Sequence, residues 1–335
     1  MNIKQSSINK LSIIVPVYNR PNEIQELLES MVEQTNKEFD VIIIEDGSTI
    51  KCDSVCETFR KKLSLQYYYK ENSGPAQSRN YGYEKATSNY CIFVDSDCIL
   101  PPHYIQTIYT TLKNHYVDAF GGPDKAHQKF SILQKAVNYS MTSFFTTGGI
   151  RGSSEKMEKF HPRSFNMGFS REVFEKTGGF PSFRFAKAKA AGEDLDLSIQ
   201  IKKLGFITAL IPDAFVYHKR RTSLQQFYNQ VFNFGVARIS IYQRHPESLK
   251  ILHAFPALFI FVILLLVVLS IFISAKFFIP IFFYAIIVFI DSTIKNKNLS
   301  VGIVSVITSF TQLIGYGCGF IYAFWKKAIM KKDKI

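Results

Sequence analysis

Short apolar runs alternate with amphipathic stretches through the first half of the chain. Residues 11–17 (LSIIVPV) form a run rich in β-branched side chains and predict a buried strand. Asn19, Pro21 and Asn22 then mark a helix start. Ile24, Leu27, Leu28 and Met31 recur at helical spacing, which turns one face toward a sheet. Residues 39–44 (FDVIII) predict a second strand, which ends at Glu45-Asp46-Gly47-Ser48. A third, over 65–69, leads into Ser73-Gly74-Pro75, and a helix through 79–86 follows. Residues 90–94 predict a fourth buried strand that runs into Asp95-Ser96-Asp97. Continuous apolar strands separated by helices point to parallel βαβ units. In such sheets the ligand crevice lies beyond the carboxyl ends of the strands, and Tyr18, Asp46, Gly74, Asp95 and Asp97 all fall there.

The middle segment, about 120–180, is less regular. Gly121-Gly122-Pro123 and Gly148-Gly149 predict an insertion or loops. A helix over 171–176 stops at Gly178-Gly179. Another, over 194–204, ends at Gly205, and 206–211 return as a strand. Leu224, Phe227, Tyr228, Val231, Gly235 and Ile239 then form a long stripe at helical spacing. Two readings of that helix stay open: packing on the domain, or lying in a membrane interface.

From residue 251 the pattern changes. Residues 251–274 carry no formal charge with His253 neutral, and are long enough to cross a bilayer core of roughly 30 Å. Residues 277–290 are fewer and are bounded by Lys276 and Asp291. Residues 299–325 are again long and uncharged, with Gly302, Gly315, Gly317 and Gly319. Two to three spans are expected. Three would carry the Lys-rich tail to the side opposite a cytoplasmic N-terminal domain, against the positive-inside rule. A re-entrant second segment, or a break at the glycines of the third, would remove the conflict.

Composition changes this picture in two places. The 335 residues carry a net charge of +13. The basic residues cluster at Lys219-Arg220-Arg221, at Arg238, Arg244 and Lys250, and in the tail from Lys326. They flank the apolar spans and are not interleaved with exposed aromatics. That fits a cytoplasmic bias and anionic lipid, and no nucleic-acid partner is expected. The five cysteines, Cys52, Cys56, Cys91, Cys98 and Cys318, are odd in number and have no zinc-site spacing. Buried free thiols in a reducing cytoplasm account for them. Residues 1–10 are polar with no apolar core, so no signal peptide is expected and the soluble part is expected to face the cytoplasm.

The candidate chemistry lies in four places. Asp95 and Asp97, two apart at a strand end, face the same way. Adjacent carboxylates repel, and a divalent cation resolves the repulsion. Oxygen ligands suit Mg²⁺ or Mn²⁺, which would in turn hold a diphosphate. An isolated D-x-D can also be a solvated turn, but here an apolar strand precedes it and Pro101-Pro102 follows. In Gly192-Glu193-Asp194-Leu195-Asp196, Asp194 reads either as a general base or as a helix N-cap. His218, after Val216-Tyr217, reads as a metal ligand, a donor to diphosphate, or a surface histidine. The adjacent Lys219, Arg220 and Arg221 would offset phosphate charge or lie against lipid headgroups. Arg79 and Asn80 follow Ser73-Gly74-Pro75-Ala76-Gln77-Ser78, which is neither a dinucleotide fingerprint nor a Walker loop. Phosphates would then be held by metal and cationic side chains, unless Arg79 is a solvated helix-start residue.

Taken in order, Ser12-Ile13-Ile14-Val15-Pro16-Val17-Tyr18-Asn19, Glu45-Asp46-Gly47-Ser48, Gly74 to Asn80, Asp95-Ser96-Asp97, Asn166-Met167-Gly168-Phe169 with Gly178-Gly179-Phe180, and Gly192-Glu193-Asp194 resemble the family-2 glycosyltransferases over residues 11–220. The resemblance implies a GT-A fold: an α/β, Rossmann-like, mostly parallel sheet flanked by helices, here followed by a C-terminal transmembrane helical region. It implies an inverting, single-displacement, metal-dependent transfer. Pro16, Tyr18, Asp46, Arg79 and Asp95 would contact the nucleotide-sugar; Asp95, Asp97 and His218 would hold Mg²⁺ or Mn²⁺. Asp194 would be the base, with Met167, Gly168 and Glu193 on the acceptor side. Glu45 departs from the Asp of many members, but Asp46 is present; processive synthases carry a Gln-x-x-Arg-Trp motif that does not follow Arg221 here, so the resemblance implies single-sugar addition over processive synthesis.

The expected division is a catalytic domain over 1–225, an amphipathic interfacial helix or linker over 226–250, transmembrane helices over 251–325, and a basic tail over 326–335. The spans resemble those of members acting on lipid-linked acceptors in bacterial envelope polysaccharide assembly. The expected partners are a nucleotide-sugar, a lipid-linked or other glycan, and the cytoplasmic membrane, crossed more than once with the catalytic domain on the cytoplasmic side. The competing expectations are a processive polysaccharide synthase and a non-catalytic membrane protein that handles glycans.

Overall fold

The computed structural model describes residues 10–127, 130–148, 161–181 and 192–332, with side chains to 326. Residues 1–9, Gly149 and the end of the basic tail, 333–335, lie outside the described residues. The chain divides into two compact units. The first comprises Met1–His127, Ser154–Ser182 and Glu193–Lys219; the second comprises Gln128–Ser153, Phe183–Gly192 and Arg220–Ile335.

The first unit begins β1 (Leu11–Val17), α1 (Pro21–Val32), β2 (Phe39–Asp46), α2 (Asp53–Phe59), β3 (Leu65–Lys70), α3 (Pro75–Lys85) and β4 (Tyr90–Val94). It continues with β5 (Cys98–Ile99), α4 (Tyr104–Asn114), β6 (Ala119–Gly121) and β7 (Asp124–Lys125). Helices α5 (Ile132–Thr142) and α6 (Phe144–Thr147) belong to the second unit. The first unit then resumes with β8 (Asn166–Ser170), α7 (Arg171–Thr177), α8 (Glu193–Lys203), β9 (Thr208–Leu210) and β10 (Val216–His218).

Seven strands form one sheet in the order β3-β2-β1-β4-β8-β6-β9. The first four run parallel, as their mostly apolar runs predict. Strand β8 runs antiparallel to both β4 and β6, while β6 and β9 are parallel. The sheet is buried on both faces. Ile13, Val15, Val41 and Ile43 pack with Ile24, Leu27 and Leu28 of α1. Ile14, Ile42 and Ile44 pack with Tyr83, Phe93, Phe169 and Phe180. Each such side chain contributes about 1.5–3 kcal/mol on burial, which holds the strand ends in place. Helix α3 starts at Pro75, earlier than the 79–86 expected. Gly74, at φ 94°, turns the chain, and Pro75 supplies the preset φ of a first helical position. A second sheet, β5-β10-β7, is small. Its antiparallel β10–β5 pair sets His218 opposite Cys98.

The second unit contains a helix within the stretch where an insertion or loops were expected. Ser131 and Gln134 form a capping box that opens α5, and the hydroxyl of Thr308 donates to the Ala136 carbonyl at 3.0 Å. Helix α9 (Leu224–Arg244) is followed by α10 (Phe255–Phe272), α11 (Ile279–Asn296) and α12 (Leu299–Lys332). The stripe on α9 is covered by α12, with Val236 and Ile239 packed around Ala323. Glycines allow this approach. A Cβ at Gly235 would lie 2.2 Å from the Tyr316 carbonyl oxygen, and one at Gly319 2.0 Å from that of Phe232. Gly317 meets the Pro256 carbonyl of α10 in the same way, at 2.5 Å. The α12 glycines are therefore contact points, and the helix runs through them without a break. Among the described residues, three segments, Ile251–Phe272, Ala275–Asn296 and Leu299–Lys326, are long and apolar enough to cross a membrane. On α10, Leu258, Phe261, Leu264, Leu265 and Val268 are exposed, an outward apolar face suited to lipid.

Candidate functional site

Asp95 and Asp97 follow β4 at its carboxyl end, and the short second sheet brings His218 to them. The Lys219 amide donates to the Asp97 carbonyl at 3.0 Å, extending the β10–β5 pairing. His218 Nε2 then lies 3.0 Å from Asp97 Oδ1 and 3.9 Å from Asp95 Oδ2. The other oxygen of Asp97 is bound by Arg20, just before α1. Burial pushes the Asp97 carboxyl up, but the neighbouring His218 and Arg20 outweigh it and hold the group well below the usual carboxylate range. Asp97 is thus a buried, ionised acid.

Arg79 ties this cluster to a third strand-end element. Its Nη2 lies 2.7 Å from Asp95 Oδ1, and its Nη1 lies 3.4 Å from Glu193 Oε1. Arg79 sits mid-helix in α3 and is 3% exposed, so the solvated helix-start reading does not hold. Burial pushes Glu193 up, the Arg79 charge opposes this, and neighbouring Asp194 adds to it; the net direction is up. Glu193 opens α8, so Asp194 lies inside the first turn and is not its N-cap. Asp194 Oδ1 stands 3.6 Å from Arg163 Nη1, and its Oδ2 accepts from the Ser164 amide at 3.4 Å. Asp97, His218, Asp95, Arg79, Glu193 and Asp194 form one continuous chain of charges.

The remaining expected residues take distinct places. Pro16 is half-buried in β1 opposite Ile44, and Tyr18, just past the strand, is 47% exposed. Asp46 ends β2, is buried, pairs with Lys70, and accepts from the Ser73 and Gly74 amides at 2.9 Å each. Burial raises its carboxyl, but Lys70 and the two amides together hold it below its ordinary value. Asp46 therefore shapes the loop that enters α3. Glu45 is fully buried and accepts from the Cys52 amide at 2.7 Å and from the Ser48 hydroxyl, which anchors the approach to α2.

Met167 is expected on the acceptor side. Its side chain is fully buried in the sheet core, because β8 is an interior strand flanked by β4 and β6. Gly168 is shut in as well: a Cβ there would lie 2.3 Å from the Phe120 ring. Lys219 turns to Glu26 at 2.7 Å, and Arg220, in the second unit, donates to Asn138 at 2.9 Å.

Asp97, Cys98 and His218 each place a ligand atom within 4.8 Å of the others. The donor chemistry fits a divalent cation. Two carboxylates converge on one imidazole nitrogen, and one of them is ionised though buried, a set that accepts Mn²⁺ or Mg²⁺. The Cys98 thiol is directed to the Phe165 carbonyl at 3.7 Å and is the softest donor of the three. Three basic residues escaped the sequence reading: Arg20 on Asp97, Lys70 on Asp46 and Arg163 near Asp194. Arg20 and Lys70 were detectable in principle, since one follows β1 closely and the other ends β3, both at the carboxyl rim.

Residues 12–178 match the model of glycosyl transferase family 2. An uncharacterized glycosyltransferase of Rickettsia felis is 35% identical over 137 residues, 41% of this chain and 22% of its own length. The chain covers between 13% and 22% of the length of the first curated relatives it matches. A mannosyltransferase of Pyrobaculum calidifontis, solved with GDP-Man and Mn²⁺, superposes with a TM-score of 0.69 at 17% identity, over 97% of this chain and 89% of its own. The TarS protein of S. aureus, residues 1–349, solved with UDP-GlcNAc, gives 0.50 at 23% identity, over 69% and 66%. At these identities the two structures speak to the fold.

Proposed function

This chain belongs to glycosyl transferase family 2, with a GT-A sheet and three C-terminal helices apolar enough to span a membrane, and from that premise we propose that it moves one sugar from a nucleotide-sugar to a hydroxyl of a membrane-associated, lipid-linked glycan. The observation that carries the proposal is the unbroken chain of charges from Asp97 through His218, Asp95, Arg79 and Glu193 to Asp194. It supports reading Asp97, His218 and Asp95 as cation ligands and Asp194 as the base, since these residues lie beyond strand ends of the mostly parallel sheet, where α/β folds bind ligands.

Asp97, His218 and Asp95 would hold Mg²⁺ or Mn²⁺, which would supply positive charge against a departing diphosphate. The other roles belong to the chain. Tyr18, exposed beyond β1, and Pro16 border the base and ribose. Asp46 fixes the loop at Ser73-Gly74 and so shapes that border. Arg79 orients Asp95 and keeps Glu193 beside it. Asp194 accepts the proton of the acceptor hydroxyl as its oxygen attacks the anomeric carbon. The bond from that carbon to the diphosphate oxygen breaks, and the nucleoside diphosphate leaves with the electron pair. One displacement of this kind inverts the anomeric centre. The proposed functional division is a catalytic region over 1–225, an amphipathic interfacial helix or linker over 226–250, spans over 251–325 and a basic tail over 326–335. The catalytic region works at the cytoplasmic face in this reading, which the basic residues flanking the apolar segments support.

The test has two stages. A panel of UDP- and GDP-sugars, each with Mn²⁺ or Mg²⁺, is screened for protection of the full chain against heating, since a ligand that binds only the folded state stabilises it. The protecting sugar is then assayed with membrane extracts, comparing wild type and Asp194→Asn. The expected result is an acceptor extended by a single sugar, with turnover lowered about 10²–10⁴-fold in the variant and nucleotide protection retained. Wild-type turnover in Asp194→Asn removes the base assignment. A polymeric product replaces the single-addition reading with processive synthesis. Failure of every nucleotide-sugar to protect removes the transferase reading.

A further inference from the structure

Asp97 already has two partners. Arg20 binds its Oδ2, and His218 Nε2 stands 3.0 Å from its Oδ1. The Asp97 side chain is 8% exposed, so its charge requires compensation from inside the protein. Arg20 supplies a full positive charge. A divalent cation on Asp97 would add two more beside that guanidinium, and like charges at such range repel strongly in a partly desolvated site. Arg20 and the cation are therefore competitors for one carboxylate.

The mounting of Arg20 shows which of the two can yield. Asn19, immediately before it, is pinned: its amide donates to the Ser48 hydroxyl at 2.8 Å, and its Oδ1 accepts from the Thr49 and Ile50 amides at 2.8 and 2.9 Å. On the other side, the Arg20 carbonyl accepts from the Ile24 amide of α1 at 3.1 Å. The backbone is held, while the side chain is one-third exposed. The guanidinium can leave by rotamer change alone. Asp97, buried at the strand end, cannot.

We propose that Arg20 is a built-in counter-ion that fills the cation's place on Asp97 in the free protein and turns to the diphosphate when donor and cation bind together. The inference rests on the metal-dependent reading above and adds a residue and an order of binding to it. Free cation must displace Arg20 and gains little. Cation arriving with a nucleoside diphosphate gives the guanidinium a new partner, because arginine pairs well with phosphate oxygens. The coupling is reciprocal: nucleotide strengthens cation binding by the same factor as cation strengthens nucleotide binding.

The experiment titrates Mn²⁺ into the full chain in detergent, following free Mn²⁺ by electron paramagnetic resonance, alone and with saturating UDP or GDP. Wild type, Arg20→Gln and Arg20→Lys are compared, with circular dichroism and melting as fold controls. Arg20→Gln is expected to bind Mn²⁺ alone about tenfold more tightly, equivalent to about 1.4 kcal/mol. With Mn²⁺ present, it is expected to bind the nucleoside diphosphate about tenfold more weakly. Arg20→Lys, a point charge without the planar fork, should shift both in the same directions by less, and stands in if the first variant melts early. A purely structural arginine would weaken both bindings or neither. Unchanged or weaker binding of Mn²⁺ alone in a folded variant, with wild type taking up Mn²⁺ normally beside a nucleotide, overturns the role of Arg20. If wild type takes up no Mn²⁺ with either nucleotide, the metal-dependent reading falls, and this inference falls with it.

Discussion

His218 Nε2 lies 3.0 Å from Asp97 Oδ1, although His218 ends the last strand of the first unit and Asp97 follows the fourth. The contact exists because β10 pairs antiparallel with β5, directly after the aspartate. Removing the imidazole takes one donor from the cation site while the Arg20 contact stays in place. His218→Ala should raise the Mn²⁺ concentration needed for half-maximal turnover, and lower turnover at fixed Mn²⁺, by at least about tenfold. Release of nucleoside diphosphate over a Mn²⁺ series measures both. A Mn²⁺ response identical to wild type would remove His218 from the site.

Arg79 serves two acids at once, so its loss should be felt as instability before it is felt as chemistry. The side chain is 4% exposed and Glu193 9% exposed. Arg79→Met leaves a buried carboxyl without its cation, a change that costs about 3–5 kcal/mol. Chemical denaturation of the solubilised chain should show that loss. Adding Glu193→Gln to Arg79→Met should recover part of it, because one of the two acids is then neutral. No recovery would mean that the Arg79–Glu193 contact carries little of the effect.

Asp46 gives a dependence on pH with a definite sign. Its folded carboxyl lies below the ordinary value, held down by Lys70 and the Ser73 and Gly74 amides against burial. A depressed acid adds stability that is fully present above the unfolded value, about 3.9, and is lost as pH falls through the folded value. Asp46→Asn should therefore melt below wild type at neutral pH, and the two curves should converge as the solution is acidified toward and below pH 4. A gap that stays constant across the series would assign the effect to packing.

Gly319 allows α12 to touch α9 backbone to backbone, with no room for a Cβ beside the Phe232 carbonyl. Gly319→Leu must part the helices or distort one of them, and overpacking of this kind destabilises by about 1–3 kcal/mol or more. The variant should extract in lower yield and melt earlier, while Ile303→Leu, on an exposed position of the same helix, should match wild type. Equal melting of both variants would show that the close approach is dispensable.

The local content of this chain was open to reading from its sequence. Mostly apolar runs mark β1 to β4, and helical spacing marks α1 and α9. The acids at the strand ends, Asp46, Asp95 and Asp97, stand where such strands must stop, and the length of the apolar segments marks the spans. These signals lie within windows of a few turns or one strand, which is the range over which periodicity is expressed. Tertiary structure decided the rest, because it depends on which distant segments pair. Strands β5 and β10 are only two and three residues long, too short to show a period, yet their pairing delivers His218 to Asp97. The antiparallel insertion of β8 buried Met167, and Arg79, read from sequence as a nucleotide contact or a solvated helix-start residue, is a buried mid-helix bridge between Asp95 and Glu193. Charges meet according to chain topology, and topology is set by long-range burial that no local window contains.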